Sequence, residues 1–238
     1  RFGMRREPGV RLTLVAREPH TPYSGMLPGF IAGQYLWDDI HIDLARLSAF
    51  CDARFIADEV VGIAPEDGRI LFKDRPSIRY DALSINTGGI PLKGMPVHET
   101  VLPVKPIGRF IEAWEGLLER TRSRVGFPLA IVGGGPGSVE LAIAIAERFG
   151  SRFFITLVTA DSTMLLSHSN RTRTTIERTL GLHGIVTTTG FSVDSVNGEG
   201  LWSASGDFLP AESTLWVSGV EAPKWLRDSG FDVDSDGF

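Results

Sequence analysis

The spacing of apolar side chains changes along the chain, and the second half shows the change most clearly. From Leu129 to Gly150, LAIVGGGPGSVELAIAIAERFG passes from a continuous apolar run through a glycine-rich turn into an apolar stretch of helical length. A continuous apolar run is typical of a buried parallel strand. Strand, glycine turn and helix in this order predict the opening of a dinucleotide-binding βαβ unit. The run from Phe153 to Thr159 predicts the second strand of that unit.

The segments on either side of this unit also have regular patterns. Before it, apolar side chains recur at helical spacing and charged ones lie mostly on the other face, which predicts an amphipathic helix. Its apolar positions are Ile107, Phe110, Ile111, Trp114, Leu117 and Leu118. After the unit, NRTRTTIERTLGLHG predicts a helix that ends at Gly184, and STLWVSGVEAP, from Ser213 to Pro223, predicts a strand.

The first part of the chain predicts shorter elements. VRLTLVA, from Val10 to Ala16, has the composition of a buried strand, and residues 1–6 before it predict the last turn of a helix. HIDLARLSAFCDA predicts a helix. Its apolar face carries Ile42, Leu44, Leu47 and Phe50. RFIADEVVGIAPEDGRILF predicts a hairpin that turns at Glu66-Asp67-Gly68.

Two strand ends resemble each other. YDALSINTGGIP, from Tyr80 to Pro91, and ESTLWVSGVEAP, from Glu212 to Pro223, each run from an acidic residue through an apolar strand to a small hydroxyl residue, glycine and proline. The similarity predicts an internal duplication, in which two nucleotide-binding folds end in the same motif. Chance similarity of two strand ends is the alternative.

Composition narrows the class of protein. The chain has 238 residues, 42% of them hydrophobic, with 27 glycines and a net charge of −5, which suits an α/β protein and gives no reason to expect nucleic acid as a partner. No apolar run reaches the roughly 18 residues that span a bilayer. The single cysteine, Cys51, favours a reducing compartment, and a cytoplasmic protein is expected. The five histidines lack the spacing of metal ligands.

Several motifs together resemble the FAD-dependent pyridine nucleotide–disulfide oxidoreductases. They are TPYSGMLPGFIAGQY followed by HIDL, then YDALSINTGG, LPVKPI, VGGGPGSVELA and LWVSGVEAP. The most similar branch is the type II NADH dehydrogenase-like group. YSGMLPG is also similar to the oxidoreductase domain that is often fused to selenide, water dikinase, so a link to that enzyme is expected.

The resemblance implies an α/β fold with two Rossmann-like, three-layer dinucleotide-binding domains. The NAD(P) domain, residues 104–220, is expected to be inserted in the FAD domain, residues 1–103 and 221–238. The first FAD glycine turn and the C-terminal Gly-Asp motif of the family are not found, so the FAD domain is expected to be truncated at both ends.

The resemblance also implies the reaction. Hydride passes from NAD(P)H to FAD and then to a small-molecule electron acceptor, which in the most similar branch is a quinone. The redox-active cysteine pair of the disulfide reductases is not found in these 238 residues. Two alternatives remain open, namely a nucleotide-binding module that senses or scaffolds without turnover, and a Rossmann enzyme that uses NAD(P) alone.

The glycine turn supplies most of the predicted coenzyme contacts. Gly133 is expected to form the tight turn, Gly135 to let the backbone approach a pyrophosphate, and Ser138 to replace the third small residue of the motif. The predicted contacts are Gly133, Gly134, Gly135, Pro136, Gly137 and Ser138, with Gly219 at the end of the later strand. The alternative is a structural glycine turn in a domain that has lost its ligand.

The ribose position departs from the usual pattern. Thr159 stands where an acid normally binds the 2′-hydroxyl of NAD, and Asp161 follows two residues later. We find no arginine there for a 2′-phosphate, which favours NADH over NADPH. Glu140 is expected in the first helical turn, where it either interacts with the helix dipole or, by resemblance, orients the nicotinamide carboxamide or a nearby lysine. Lys105 either approaches the flavin or is a solvated linker residue.

The glycine- and proline-rich TPYSGMLPG loop is expected to contact the flavin. By resemblance, its backbone lies against the ring system and its apolar side chains form a wall. The predicted residues are Ser24, Gly25, Met26, Leu27 and Pro28, together with Thr87 and Gly88 from the first glycine-ended strand. The alternative is a surface Ω-loop that packs on itself.

Overall fold

A computed structural model describes residues 4, 7–91 and 94–238. The helical turn predicted over residues 1–6 therefore lies, except for Met4, outside the described residues. The chain divides into two compact units. Unit 1 comprises the chain up to Tyr23, Trp37–Ile90 and Glu221–Phe238, and unit 2 comprises Ser24–Leu36 and Pro91–Val220.

This division differs from the predicted domain boundaries in two places. Residues 24–36 and 91–103 were expected in the FAD domain, but they belong to the same compact unit as residues 104–220. The assignment of a cofactor to each domain stays a prediction.

The elements are mostly short in unit 1 and longer in unit 2. The helices are α1 (Leu27–Ile31), α2 (Trp37–Ile40), α3 (Leu44–Phe50), α4 (Ile107–Arg120), α5 (Pro136–Phe149), α6 (Asn170–Leu182) and α7 (Trp225–Asp228). The strands are β1 (Thr13–Ala16), β2 (His20–Pro22), β3 (His41–Asp43), β4 (Arg54–Ala57), β5 (Val60–Ala64), β6 (Arg69–Phe72), β7 (Ile78–Arg79), β8 (Ile90–Pro91), β9 (Val101–Pro103), β10 (Phe127–Val132), β11 (Phe153–Val158), β12 (Val186–Thr188), β13 (Val193–Val196), β14 (Gly200–Ser203), β15 (Phe208–Pro210), β16 (Ser213–Trp216) and β17 (Val220–Glu221).

Unit 2 is built on a five-stranded parallel sheet in the order β12-β11-β10-β16-β9. Helices α4, α5 and α6 connect successive parallel strands, as the sequence pattern predicts. The chain moves from β10 to β11 on one side, whereas β16 pairs with β10 on the other. The order therefore reverses between β10 and β16, which is where doubly wound folds bind nucleotides.

The core of unit 2 follows the predicted apolar positions. The predicted stripe of α4 is buried except for Leu118, which is half-buried, and Trp114 is only 1% exposed. Trp114 contacts the rings of Phe110, Phe149 and Phe153. On the sheet, a second apolar cluster joins strand residues to the antiparallel meander β13-β14-β15. Unit 2 is thus a layered α/β structure, which confirms the predicted fold class.

Unit 1 contains several small sheets. β1 pairs with β4 in parallel, β2 with β3 antiparallel, and β5, β6 and β7 form an antiparallel sheet. The predicted hairpin is present between β5 and β6, and Gly68 has a φ of +58° in its turn. The Asp43 side chain caps α3 by accepting a hydrogen bond from Arg46 N.

Three predictions in unit 1 are wrong in part. The strand predicted from Val10 is shorter and only half-buried, since β1 begins at Thr13. The strand predicted over Tyr80–Pro91 is limited to Ile90–Pro91, because residues 81–89 pair with no strand in the described part of the chain. The apolar face predicted for α3 is not a core face, because Leu47 and Phe50 are exposed.

Candidate functional site

A cleft of about 590 Å³ opens at the carboxyl ends of β10, β11 and β16. It is lined by residues 132–138, 158–161, 191–193 and 216–219. The glycine turn, Thr159, Asp161 and Gly219 therefore come together, although they are far apart in sequence. This position at the reversal of strand order is where a dinucleotide is expected in an open parallel sheet.

Gly133 forms a tight turn that no other residue would tolerate well. Its φ is +147°, in the region that favours glycine, and a Cβ built on it would lie 3.2 Å from Ser218 N. Gly133 N donates to Val158 O at 2.8 Å, while Ser218 N donates to Val132 O at 3.0 Å. The turn is therefore held between the ends of β11 and β16.

The N-terminus of α5 faces open space. Gly135 caps the helix in an extended conformation, and nothing lies within 4 Å of a Cβ built on it. Pro136 and Gly137 follow as exposed residues of the first turn. The amides of a first helical turn have no acceptor within the helix and carry a partial positive charge. This end of α5 is consequently suited to a phosphate group.

Ser138, predicted to pack the helix onto the strand, lies at the start of α5 against the glycine turn. It is buried, its Cβ lies 3.5 Å from the position of a Cβ on Gly133, and its Oγ donates to Gly135 O at 2.7 Å. The Ser138 hydroxyl therefore forms a hydrogen bond within the turn itself.

Thr159 and Asp161 have different surroundings. Thr159 is buried, and its Oγ1 accepts a hydrogen bond from Asp161 N at 3.2 Å. Asp161 is exposed, and its backbone oxygen accepts a hydrogen bond from Gly190 N at 2.8 Å. Of the two, only Asp161 presents a carboxylate to the cleft.

A second cavity, of about 460 Å³, adjoins the outer side of the turn. It is lined by Gly134, Gly135, Pro136 and Asp161 together with residues 165–168. Asp161 therefore borders both cavities. Leu165 has a φ of +54°, and its N–H donates to Gly134 O at 2.7 Å, which ties this loop to the glycine turn.

Two predicted catalytic residues lie outside the cleft. Glu140 is exposed and is the fifth residue of α5, so the expectation that it lies in the first turn is wrong, because the helix begins earlier, at Pro136. The effect of the helix dipole weakens beyond the first turn. Lys105 is half-buried and precedes a cis peptide bond to Pro106. The roles proposed for both stay predictions.

The residues predicted to contact flavin fall into different compact units. Residues 24–28 belong to unit 2, where Ser24–Met26 form a 3₁₀ turn and Leu27 and Pro28 begin α1. Leu27 is buried, so of this set it is the residue least available to a ligand. Thr87 and Gly88 belong to unit 1 and are exposed, with a φ of +70° at Gly88.

Sequence patterns missed two parts of the cleft. One wall is formed by Phe191 and Ser192, from the loop before β13, and by Val193, the first residue of that strand; no motif marks them. Trp216 lies in a segment that was predicted only as a strand. Its position three residues before the predicted Gly219 could have indicated that it lines the cleft.

The residues present fit a nicotinamide coenzyme. The open helix terminus, the glycine turn and the size of the cleft match a bound dinucleotide. For FAD, the described residues offer exposed segments at Ser24–Gly25 and Gly88, but no second glycine turn at a helix N-terminus is found among them. Within those residues, no helix has both the length and the apolar character needed to cross a membrane.

The family of the chain follows from comparison with known proteins. The model of the pyridine nucleotide-disulphide oxidoreductase family matches residues 2–238. The chain belongs to this family. The predicted membership of this family is confirmed.

A curated relative agrees with this result. The NADH dehydrogenase-like protein YutJ of Bacillus subtilis is 25% identical over 245 residues, which cover 96% of this chain and 62% of the relative. The chain thus spans less than two thirds of the length of that curated relative.

Two solved structures show the same fold. The sulfide:quinone oxidoreductase from Aquifex aeolicus superimposes with a TM-score of 0.78 at 19% identity, over 96% of this chain and 57% of the other. The water-forming NADH oxidase from Lactobacillus brevis, bound to NADH, superimposes with a TM-score of 0.78 at 16% identity, over 97% of this chain and 52% of the other.

Proposed function

We propose that this chain binds the nicotinamide coenzyme of a FAD-dependent NAD(P)H oxidoreductase and contributes part of the flavin site. The observation that carries the proposal is the open N-terminus of α5 behind Gly135, at the point where strand order reverses. When bound, FAD supplies the acceptor for the nicotinamide hydride. The protein's task is to bind and orient both groups.

Residues of the cleft would divide this task. Gly133, Gly135 and the first amides of α5 hold the pyrophosphate, because they offer close backbone approach and unpaired donors. Trp216 and Gly219 line the cleft at the end of β16 and limit the room for water there. Glu140 and Lys105 lie outside the cleft lining. In the interpretation that the family resemblance implies, Glu140 would orient the nicotinamide carboxamide or a nearby lysine, and Lys105 would approach the flavin.

The coenzyme in this proposal is NADH. The hydroxyl of Thr159 is engaged inside the protein, which leaves Asp161 to accept hydrogen bonds from the adenosine ribose. A carboxylate at this position binds two hydroxyls and repels a 2′-phosphate. The oxidase from Lactobacillus brevis, whose fold is similar, is bound to NADH.

The acceptor that we propose is a quinone. Support comes from a fold shared with a sulfide:quinone oxidoreductase and from sequence similarity to an NADH dehydrogenase-like protein. A functional link to selenide, water dikinase stays a prediction from the YSGMLPG motif.

Binding of NADH tests the proposal directly. Trp216 lines the cleft, so NADH should quench its fluorescence, and Trp216→Phe should remove most of the quenching. Trp202→Phe, which replaces a tryptophan of the meander outside the cleft lining, is the matched control. The chain reconstituted with FAD should then bleach anaerobically on addition of NADH. Bound flavin that stays oxidised would favour the non-catalytic module instead.

A further inference from the structure

The segment Ser24–Leu36 is an excursion of the chain from one compact unit into the other. Its neighbours on both sides, up to Tyr23 and from Trp37, belong to unit 1, whereas the segment belongs to unit 2. Tyr23 N donates to Ile40 O at 2.7 Å, which closes the base of the excursion. The alternative of a loop that packs only on itself is wrong, because α1 packs against α5.

Two kinds of contact hold α1 on α5. The first is apolar, since Leu27 and Ile31 are 4% and 1% exposed. The second is polar, since Arg148 Nη1 donates to Ile31 O at 2.9 Å and to Phe30 O at 3.2 Å. Arg148 lies in the last turn of α5, 117 residues from Ile31 in the sequence.

The end of α1 is shaped around the guanidinium group of Arg148. Gly33 has a φ of +78°, and a Cβ built on it would lie 3.1 Å from both Nε and Cζ of Arg148. The guanidinium group also lies over the Phe149 ring, with Cζ 5.1 Å from the ring centroid. The carbonyls at the end of a helix have no partner within the helix, so charged donors stabilise them.

We propose that Arg148 is a positioning residue, which fixes Ser24–Leu36 to the coenzyme-binding unit. Helix α5 would then link two sites, because its N-terminus faces the coenzyme cleft and its C-terminus holds the segment expected to contact flavin. The link to flavin rests on the proposed function. Attachment of the segment to α5 does not, so the two can be tested separately.

Hydrogen exchange tests the attachment without any cofactor. The amides of Ala32, Gly33 and Gln34 all donate within the segment at 2.9 Å. In Arg148→Ala, we expect these amides to exchange at least about tenfold faster, because the hydrogen bonds that hold the end of α1 are lost. Unchanged exchange at these amides in Arg148→Ala would overturn the inference.

Arg152→Ala is the matched control. Arg152 also donates to a helix carbonyl, that of Leu118, and lies over the same Phe149 ring, but its bonds are to the end of α4. Its loss should speed exchange near Thr121 and leave Ala32–Gln34 unchanged. Equal acceleration of Ala32–Gln34 exchange in both variants would indicate general destabilisation and would also overturn the inference.

Flavin reduction tests the functional part. In the FAD-reconstituted chain, Arg148→Ala should leave the dissociation constant for NADH unchanged and slow flavin reduction at saturating NADH about tenfold. Arg148→Lys, which keeps the charge but cannot donate in the same fork, should give an intermediate rate. Absence of reduction in the unsubstituted chain would contradict the proposed function, whereas the exchange result alone decides the attachment.

Discussion

Thr159 occupies the space into which a side chain on Gly134 would extend. A Cβ built on Gly134 would lie 2.5 Å from Thr159 Oγ1 and 3.2 Å from Asp161 Oδ2. Real Cβ atoms do not approach another atom so closely. Thr159 has little room to move, because it is buried and its backbone is hydrogen-bonded to Thr188 and Phe191. The middle glycine of the turn is therefore required by the packing of Thr159, the residue directly after β11.

Gly134→Ala should damage both folding and coenzyme binding. We expect the free energy of unfolding to fall by about 1–3 kcal/mol, because the new methyl group must displace Thr159. NADH affinity should fall at least about tenfold, because Asp161 moves with Thr159. Urea unfolding and Trp216 quenching measure the two effects.

A second glycine serves as the control. Gly181 lies in α6 and nothing lies within 4 Å of a Cβ built on it. Gly181→Ala should stabilise the protein by about 0.4–1 kcal/mol and leave NADH binding unchanged. If Gly134→Ala bound NADH as tightly as the unsubstituted chain, the glycine turn would not be the coenzyme site.

Asp161→Ala should change the preference between coenzymes. Removal of the carboxylate deletes an acceptor for the ribose hydroxyls of NADH and a charge that repels the 2′-phosphate of NADPH. The ratio of the two dissociation constants should shift toward NADPH by about tenfold to a hundredfold. Asp194→Asn, on β13 and outside the cleft lining, removes an equal charge as a control. An unchanged ratio would mean that Asp161 does not contact the ribose.

Sequence patterns predicted the main elements of unit 2 well because its central helices and strands are long. The helix α4 and the strand and helix around Gly133 each bury apolar side chains, and the regular spacing of those side chains can be detected in the sequence. The glycine turn could be predicted because its residues are contiguous in the sequence. Phe191 was missed because it reaches the cleft from a loop whose position depends on the meander.

Unit 1 was predicted less well because its short segments depend on distant partners. Residues 81–89 have the composition of a strand, yet an extended segment forms a strand only when another backbone lies beside it. The segment Ser24–Leu36, which follows unit 1 in sequence but belongs to unit 2, is held by Arg148, which is more than a hundred residues away. No local pattern contains that information.

Acid should destabilise the turn between β14 and β15 through Asp207. Hydrogen bonds from the hydroxyls of Ser205 and Ser203, at 2.6 and 3.2 Å, lower the pKa of Asp207 from its ordinary 3.8. Because folding lowers this pKa, the ionised carboxylate stabilises the folded protein above pH 3.8. This stabilisation is lost as the pH falls through the lower pKa that Asp207 has in the folded protein.

The measurement is the melting temperature between about pH 5 and pH 2 in the unsubstituted chain and in Asp207→Asn. The difference in melting temperature between the two proteins should be constant near pH 5 and should shrink as the pH falls below 3.8. Ser205→Ala, which removes the largest cause of the shift, should reduce the difference. A difference that stays the same down to pH 2 would show that Asp207 does not titrate with folding.

Trp114→Ala should be among the most destabilising substitutions in unit 2. The indole is 1% exposed and contacts three phenylalanine rings that belong to α4, α5 and β11, so its removal leaves a cavity where three elements meet. We expect the free energy of unfolding to fall by about 3–5 kcal/mol. Leu182→Ala, at a residue 77% exposed, should change it by less than about 0.5 kcal/mol. Urea unfolding measures both, and similar losses in the two variants would contradict the position assigned to α4, because only a buried indole distinguishes them.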